Sequence, residues 1–306
     1  FAFVNSLENI TFAKTLDNLV NCHAFLAYCT SLKKVVLPKY LNNVTSFISV
    51  FRNCENIEYI EMPIEMNNVI EVSGEQATRF LFDNNYKLKK IQYPLSMYKN
   101  TLITGCNYNN TSIEEIRFPR IMPNTKSLQN CFYNNYKLKE IYLSESMNKV
   151  TTMYGMIYND TSLQKLILPD SMIICTDMNN WLNVWNLDSI STCIFGNVQI
   201  VVGIIMRDLK TFKQPTLKTS KFVLRGASLA TASALHTIDI DWANSTYGGT
   251  SPQIDIRWNS LSATTIDAIF TALPVVVGKT INVSGNPGSA TCTPTIATAK
   301  GWTVII

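Results

Sequence analysis

The chain repeats itself with a period near 25 residues. Each copy reads close to Ser-Leu-x-x-Ile/Val-x-Leu/Phe-Pro. Its first apolar residue falls at Leu7, Leu32, Ile57, Leu88, Ile113, Leu138, Leu163 and Leu187, at intervals of 25, 25, 31, 25, 25, 25 and 24. One such unit has too little apolar surface to close a core of its own, whereas stacked units share one. The chain is therefore expected to form a solenoid. A solenoid offers a long regular surface, which suits binding better than chemistry.

Taking those residues as position 0, the other positions have fixed characters. Position +3 holds Ile10, Val35, Ile60, Ile91, Ile116, Ile141, Leu166 and Ile190, and position +5 holds Phe12, Leu37, Met62, Tyr93, Phe118, Leu143 and Leu168. Apolar residues two apart have the period of a strand. Proline often follows, as at Pro38, Pro63, Pro94, Pro119 and Pro169; it lacks the N–H that a ladder needs and ends the strand. Position +9 is a second apolar post, with Leu16, Leu41, Met66, Met97, Met122, Met147 and Met172. Methionines held to one register read as core filling, not as a partner-binding stripe. Position −6 is a bulky anchor, Phe1, Leu26, Phe51, Phe82, Phe132, Ile157 and Trp181, broken once by Asn107.

A polar pair precedes each copy. Position −4 carries Asn53, Asn84, Asn109, Asn134, Asn159 and Asn183; position −3 carries Cys29, Cys54, Asn85, Asn110, Asn135 and Asp160. An amide is both donor and acceptor, so it can satisfy turn backbone that stacking would bury. Repeated in register, such residues are expected to form a bonded ladder with a structural role. The whole pattern, Phe-x-Asn-Cys/Asn-x-x-Leu-x-x-Ile-x-Leu-Pro-x-x-Met, resembles the BspA-like class of leucine-rich repeat. That class occurs in surface proteins of gut and oral bacteria, of treponemes and of some protozoan parasites. The resemblance covers about residues 1–195. It implies an α/β repeat solenoid, with short parallel strands stacked in register, and a binding role. Two departures stand out. The copy between Ile57 and Leu88 carries six extra residues, around 70–79, and the Leu187 copy lacks its closing Leu-Pro, so the array is expected to end there.

Position +1 reads Glu8, Lys33, Glu58, Lys89, Glu114 and Lys139, then Gln164 and Asp188. Equivalent residues on in-register parallel strands lie about 4.8 Å apart. Alternating sign thus sets each charge between opposite ones, which reads as register fixing and solubility. Position +4 reads Thr11, Val36, Glu61, Gln92, Arg117, Tyr142, Ile167 and Ser191, and Tyr59 at +2 joins its face. Tyr59, Arg117 and Tyr142 are the candidate contact residues, because aromatic and arginine side chains dominate binding hot spots. The insertion, with Ser73 and Glu75, is a second candidate, because insertions in solenoids become loops on one face.

The remaining signals mostly exclude. A formal net charge of +4 is mild, and no nucleic-acid partner is expected. No apolar run reaches the length of a membrane span. Cys22, Cys29, Cys54, Cys106, Cys131, Cys175, Cys193 and Cys292 contain no Cys-x-x-Cys pair, and His23 and His236 are the only histidines. No zinc set or cofactor motif can be built from these. Cys29/Cys54 and Cys106/Cys131 share registers in adjacent copies, but parallel side-chain vectors disfavour a bridge, so buried thiols are expected. There is no nucleophile elbow, metal set or phosphate loop, so catalysis is not expected. Phe1 already stands at an anchor position, which reads as an array truncated at its N-terminal end.

Residues 196–306 read as a divergent capping region. Arg207, Lys210, Lys213, Lys218, Lys221 and Arg225 face only Asp208. This basic stretch lacks the aromatic interleaving of a single-strand binder and reads as linker or contact surface. Residues 238–242 and 254–258 alternate as strands. Asp239, Asp241 and Asp255 there do not have calcium-loop spacing. Residues 262–273 read as a capped helix with Leu261, Ile266, Ile269, Phe270 and Leu273 inward. Residues 280–283 read as a strand, 295–300 as a short helix and 302–306 as a last strand. Strand and helix alternate here as in leucine-rich repeats with convex helices. The closing Gly278-Lys-Thr-Ile-Asn-Val-Ser-Gly-Asn-Pro-Gly288 and Ala299-Lys-Gly-Trp-Thr-Val304 resemble the tail end of repeat proteins of gut Bacteroidales and their phages. That resemblance implies a fibre or receptor-binding protein on a virion, an architectural subunit, or an adhesin on a cell surface. The implied partners are a surface glycan or protein receptor, other virion subunits, or copies of the chain itself.

Overall fold

Each copy of the repeat contributes one rung to a stack of parallel strands, and the chain forms a β-solenoid of about ten turns with few helices. The computed structural model describes residues 1–70, 81–172, 174–175, 177–178, 182–184, 186–191, 193–202, 211–214, 217–224, 234–248 and 250–306. The first ladder uses positions +2 to +4. Asn9–Thr11, Lys34–Val36 and Tyr59–Glu61 pair in order, and Lys90–Gln92, Glu115–Arg117, Glu140–Tyr142, Lys165–Ile167 and Ser189–Ile190 form a separate run. The ladder is interrupted between Tyr59–Glu61 and Lys90–Gln92, at the copy with six extra residues. A second ladder joins Phe82–Asp83, Asn107–Tyr108, Phe132–Tyr133, Ile157–Tyr158 and Leu182–Asn183. A third consists of single bridges linking Thr15, Tyr40, Glu65, Ser96 and Ile121.

The expected inward positions line the core. Val35, Ile116, Ile141 and Leu166 at +3, and Met97, Met122, Met147 and Met172 at +9, are fully buried. Turn backbone is satisfied from position −3. Cys29 Sγ donates to the Phe1 carbonyl at 3.1 Å and Cys54 Sγ to the Leu26 carbonyl at 3.1 Å. Asn110 Nδ2 donates to Phe82 O at 2.8 Å and Asn135 Nδ2 to Asn107 O at 3.2 Å. In all four cases the acceptor lies 28 residues back, so Cys and Asn do the same work at this register. The amide oxygens accept in turn: Asn85 N–H donates to Asn110 Oδ1 at 3.0 Å, Asn110 N–H to Asn135 Oδ1 at 3.2 Å, and Asn135 N–H to Asp160 Oδ1 at 2.6 Å. None of the eight cysteines is in a disulfide. Burial pushes the Cys54 thiol up to about 12, so it stays protonated and able to donate.

Position −4 works differently. Asn53, Asn84, Asn109, Asn134 and Asn159 all sit at φ between 54° and 60°. Asparagine tolerates this left-handed region better than other residues with a Cβ. Their half-buried side chains bond along the stack, Asn84 to Asn53 at 2.7 Å, Asn134 to Asn109 at 2.9 Å and Asn159 to Asn134 at 2.9 Å. The polar pair of the sequence thus splits into a buried backbone-satisfying row and a turn-shaping row. Asn107, which breaks the anchor series, is buried beside an equally unusual core residue: the Tyr93 hydroxyl lies among Cys106, Asn107 and Cys131.

Beyond the array, Ser171–Met172 pairs with Ile194–Val202, and the sheet continues through Leu217–Leu224, Ile254–Asp255, Lys279–Asn282 and Trp302–Ile305. Thr237–Ile240 pairs with Thr211–Gln214. Two helices lie between these strands in sequence, α1 (Ala263–Ala272) and α2 (Thr295–Thr298). Ser262 caps α1, its hydroxyl accepting from Thr265 N–H at 3.1 Å, and Ile266, Ile269 and Phe270 face the core. Gly288 passes so close to the start of α1 that a Cβ there would meet Ala263 N at 2.0 Å. The strand expected over 254–258 stops at Asp255, because the chain turns at Trp258 with φ 56°. Asp255 is held bidentately by Arg257, with both contacts at 2.8 Å. Of the basic stretch, Lys213 lies in Thr211–Gln214 and Lys218 and Lys221 in Leu217–Leu224, while Arg207, Lys210 and Arg225 lie outside the described residues.

Candidate functional site

In the first ladder +3 points inward, so +2 and +4 project from the opposite face of each rung. The 25-residue register sets Arg117 beside Tyr142. The guanidinium stands 3.7 Å from the ring centroid, a cation–π contact. Glu115 accepts from Arg117 Nε and also meets Lys90 Nζ at 2.6 Å. The Tyr142 hydroxyl donates to Glu140 and accepts from Lys165 Nζ at 3.1 Å. Lys90, Glu115, Arg117, Glu140, Tyr142 and Lys165 thus form one cluster over four successive rungs.

Three members of the cluster are held in their charged forms. Burial pushes Glu115 up, but hydrogen bonds from Lys90 and Arg117 outweigh it and hold the carboxyl below the usual range. The bond to Glu115 raises Arg117, and the bond to Tyr142 raises Lys165. These groups stay ionised at neutral pH, which suits a fixed recognition surface.

Tyr59 does not join them. It lies on the other side of the interruption, half-exposed, with Lys34 Nζ 5.6 Å from its ring centroid. Ser73 and Glu75 lie outside the described residues. Besides Tyr59, position +2 holds the charged residues Lys90, Glu115, Glu140 and Lys165, which a search for aromatic and arginine anchors passes over. Their spacing of 25 was the available signal. The alternating +1 charges pair as expected at two steps, Lys33 with Glu8 at 3.0 Å and Lys139 with Glu114 at 2.8 Å. Both pairs are exposed, and exposed pairs add little stability.

The BspA type leucine rich repeat region, in six copies, matches residues 1–122 and 69–183. The chain belongs to the BspA-type leucine-rich repeat family. A leucine-rich repeat protein from Bacteroides ovatus ATCC 8483 is similar at 15% identity with a TM-score of 0.37, over 90% of this chain and 81% of that one. A likeness that loose carries no argument about ligand or function. No curated protein matches the chain. Its BspA-type repeats mark a protein-interaction or adhesion module. Among the described residues, no helix is long and apolar enough to cross a membrane, and no group of three His, Cys, Asp or Glu could hold a metal ion.

Proposed function

We propose that this BspA-type protein is a non-enzymatic receptor-binding or adhesion module displayed on a virion or cell surface, with its contact residues on the first ladder. The observation that carries the reading is the Arg117–Tyr142 pair, held in place from both sides by Glu115 and Lys165. A side chain already ordered has little rotamer freedom left to lose on binding, and arginine and tyrosine are the residue types that anchor interfaces. Tyr59, and Ser73 and Glu75 of the insertion, extend the proposed contact surface. Residues 1–195 form the binding array and 196–306 its cap in this reading. The closing 278–304 segment favours a phage fibre or receptor-binding protein of gut Bacteroidales, and the receptor is a surface glycan or protein.

A second reading has one observation behind it. The +1 charges cancel along the stack, as suits a face packed against a neighbouring subunit or another copy of the chain. One experiment separates the two: binding of labelled protein, single and clustered, to Bacteroidales cells before and after stripping of surface polysaccharide. Strain-selective binding, enhanced by clustering and weakened in an Arg117→Ala/Tyr142→Ala variant of unchanged Tm, supports the receptor reading. No binding in either form supports the architectural one.

A further inference from the structure

The second ladder carries a different chemistry from the first. Tyr108, Tyr133 and Tyr158 occupy one position on three successive rungs. Their rings stack at centroid distances of 4.9 and 4.8 Å, with interplanar angles of 14° and 15°. The ring faces are used on one another, so the surface receives a row of ring edges and phenol hydroxyls at strand spacing. Among the described residues, the Tyr133 and Tyr158 hydroxyls have no hydrogen-bond partner. The stack ends at Tyr158, because the paired residue on the next rung is Asn183; Tyr158 is 39% exposed.

Two of the neighbouring positions on these rungs are uncharged as well. One residue on in each copy come Asn109, Asn134 and Asn159, whose half-buried amides form the turn-shaping row. Three residues on come Thr111, Tyr136 and Thr161. Over these three rungs this side therefore offers phenols, amides and hydroxyls, while the first ladder over the same rungs is dense in ion pairs. The row's next member, Asp83, pairs with Tyr108 and carries an ion pair to Arg52 at 3.5 Å.

We propose that this tyrosine row is a second binding surface, and that its ligand is an extended, uncharged polysaccharide. Three features select that chemistry. A charged polymer would find no counter-charge at the three tyrosine positions, and the Asp83 carboxyl at the row's edge is already taken by Arg52. A protein partner would look for an apolar centre to bury, and here the flat ring faces are already covered. An uncharged glycan brings donors and acceptors on every sugar, matching groups that do both, and an extended 1,4-linked chain repeats at close to the strand spacing. Successive sugars would then meet successive rungs. This surface extends the proposed function, resting on the same displayed module while standing apart from the first-ladder site.

The test uses the whole chain in affinity gel electrophoresis with soluble mixed-linkage β-glucan, galactomannan and xylan, and with polygalacturonate and hyaluronan as charged controls. At least one uncharged polymer should retard the protein. A Tyr133→Phe/Tyr158→Phe variant keeps the rings and their stacking and should bind about tenfold more weakly, as expected for two lost hydrogen bonds. The Arg117→Ala/Tyr142→Ala variant should be retarded like the parent. The proposal is overturned by failure of every uncharged polymer, by retardation with the charged controls alone, or by undiminished binding of the phenylalanine variant. Loss of glycan binding in the first-ladder variant alone would also overturn it, while leaving the proposed function standing.

Discussion

The repeat array and the C-terminal region bury turn backbone with the same device and close their other side differently. In the array, Asn85 N–H donates to Asn110 Oδ1 25 residues on, and Asn110 Nδ2 reaches back to the Phe82 carbonyl. In the C-terminal region, Asn259 N–H donates to Asn286 Oδ1 27 residues on, and Asn286 Nδ2 reaches back to the Ile256 carbonyl. The array then returns through tight turns with left-handed asparagines, and the C-terminal region through α1 and its serine cap. The buried amide row is thus the shared constraint. The return path varies, and with it the period.

The largest test of this comparison removes one amide from each region. Asn110→Ala strands the Asn85 N–H and the Phe82 carbonyl, and should cost about 3 kcal/mol in urea unfolding. Asn286→Ala strands more groups, since Asn286 also serves Leu261 N–H and the Val283 carbonyl, and should cost more. A smaller loss at Asn286 would break the equivalence.

Next comes the end of the array's row. Asp160 Oδ1 accepts from Asn135, but Oδ2 has no partner, and burial pushes the carboxyl up to about 8. A carboxyl raised above its ordinary value of 3.8 stabilises the fold fully below that pH, and this contribution fades as pH rises towards 8. Asp83, pushed up to about 6 by burial against the opposing pull of Arg52, acts in the same direction. Asp160→Asn supplies a permanent donor at a register where Asn110 and Asn135 already donate. It should add about 2 kcal/mol near pH 8.5 and almost nothing near pH 4. Equal effects on Tm at the two pH values would show that Asp160 is not held protonated.

Two smaller effects sharpen the picture. Cys54→Ser keeps a donor towards Leu26 O and should cost less than Cys54→Ala, which should lose about 1 kcal/mol; equal losses would mean that the thiol only fills space. Glu114→Lys sets like charges beside Lys89 and Lys139. It should lower Tm slightly at low salt, and the effect should vanish at high salt. A salt-independent loss would assign Glu114 a role beyond charge pairing.

Much of this was legible because a solenoid writes its contacts at a constant interval. The burial of Val35, Ile116 and Met122, the capping of α1 by Ser262, and the placing of Arg117 one rung from Tyr142 all follow from residue spacing and type. The split between the two asparagine rows did not, because asparagine suits both a buried amide network and a left-handed turn, and composition cannot separate them. The isolation of Tyr59 was hidden for another reason. The extra residues after 70 are visible in the sequence, but their effect on strand pairing is a matter of stacking geometry. The approach of Gly288 to Ala263 joins segments 25 residues apart without a repeated motif to announce it.

The interruption of the first ladder also has a mechanical meaning. A module that tethers one body to another is pulled, and in a stack of parallel rungs a force along the axis passes through every rung in series. Between Tyr59–Glu61 and Lys90–Gln92 the first ladder gives no support, and load must cross on contacts such as Phe51 N–H to Leu81 O at 3.2 Å and the Glu65–Ser96 bridge. That joint should be the first to part under tension. It separates the rungs that carry Tyr59 from those that carry the Arg117–Tyr142 cluster and the tyrosine row, so stretching would lengthen the molecule before it disturbed those two clusters.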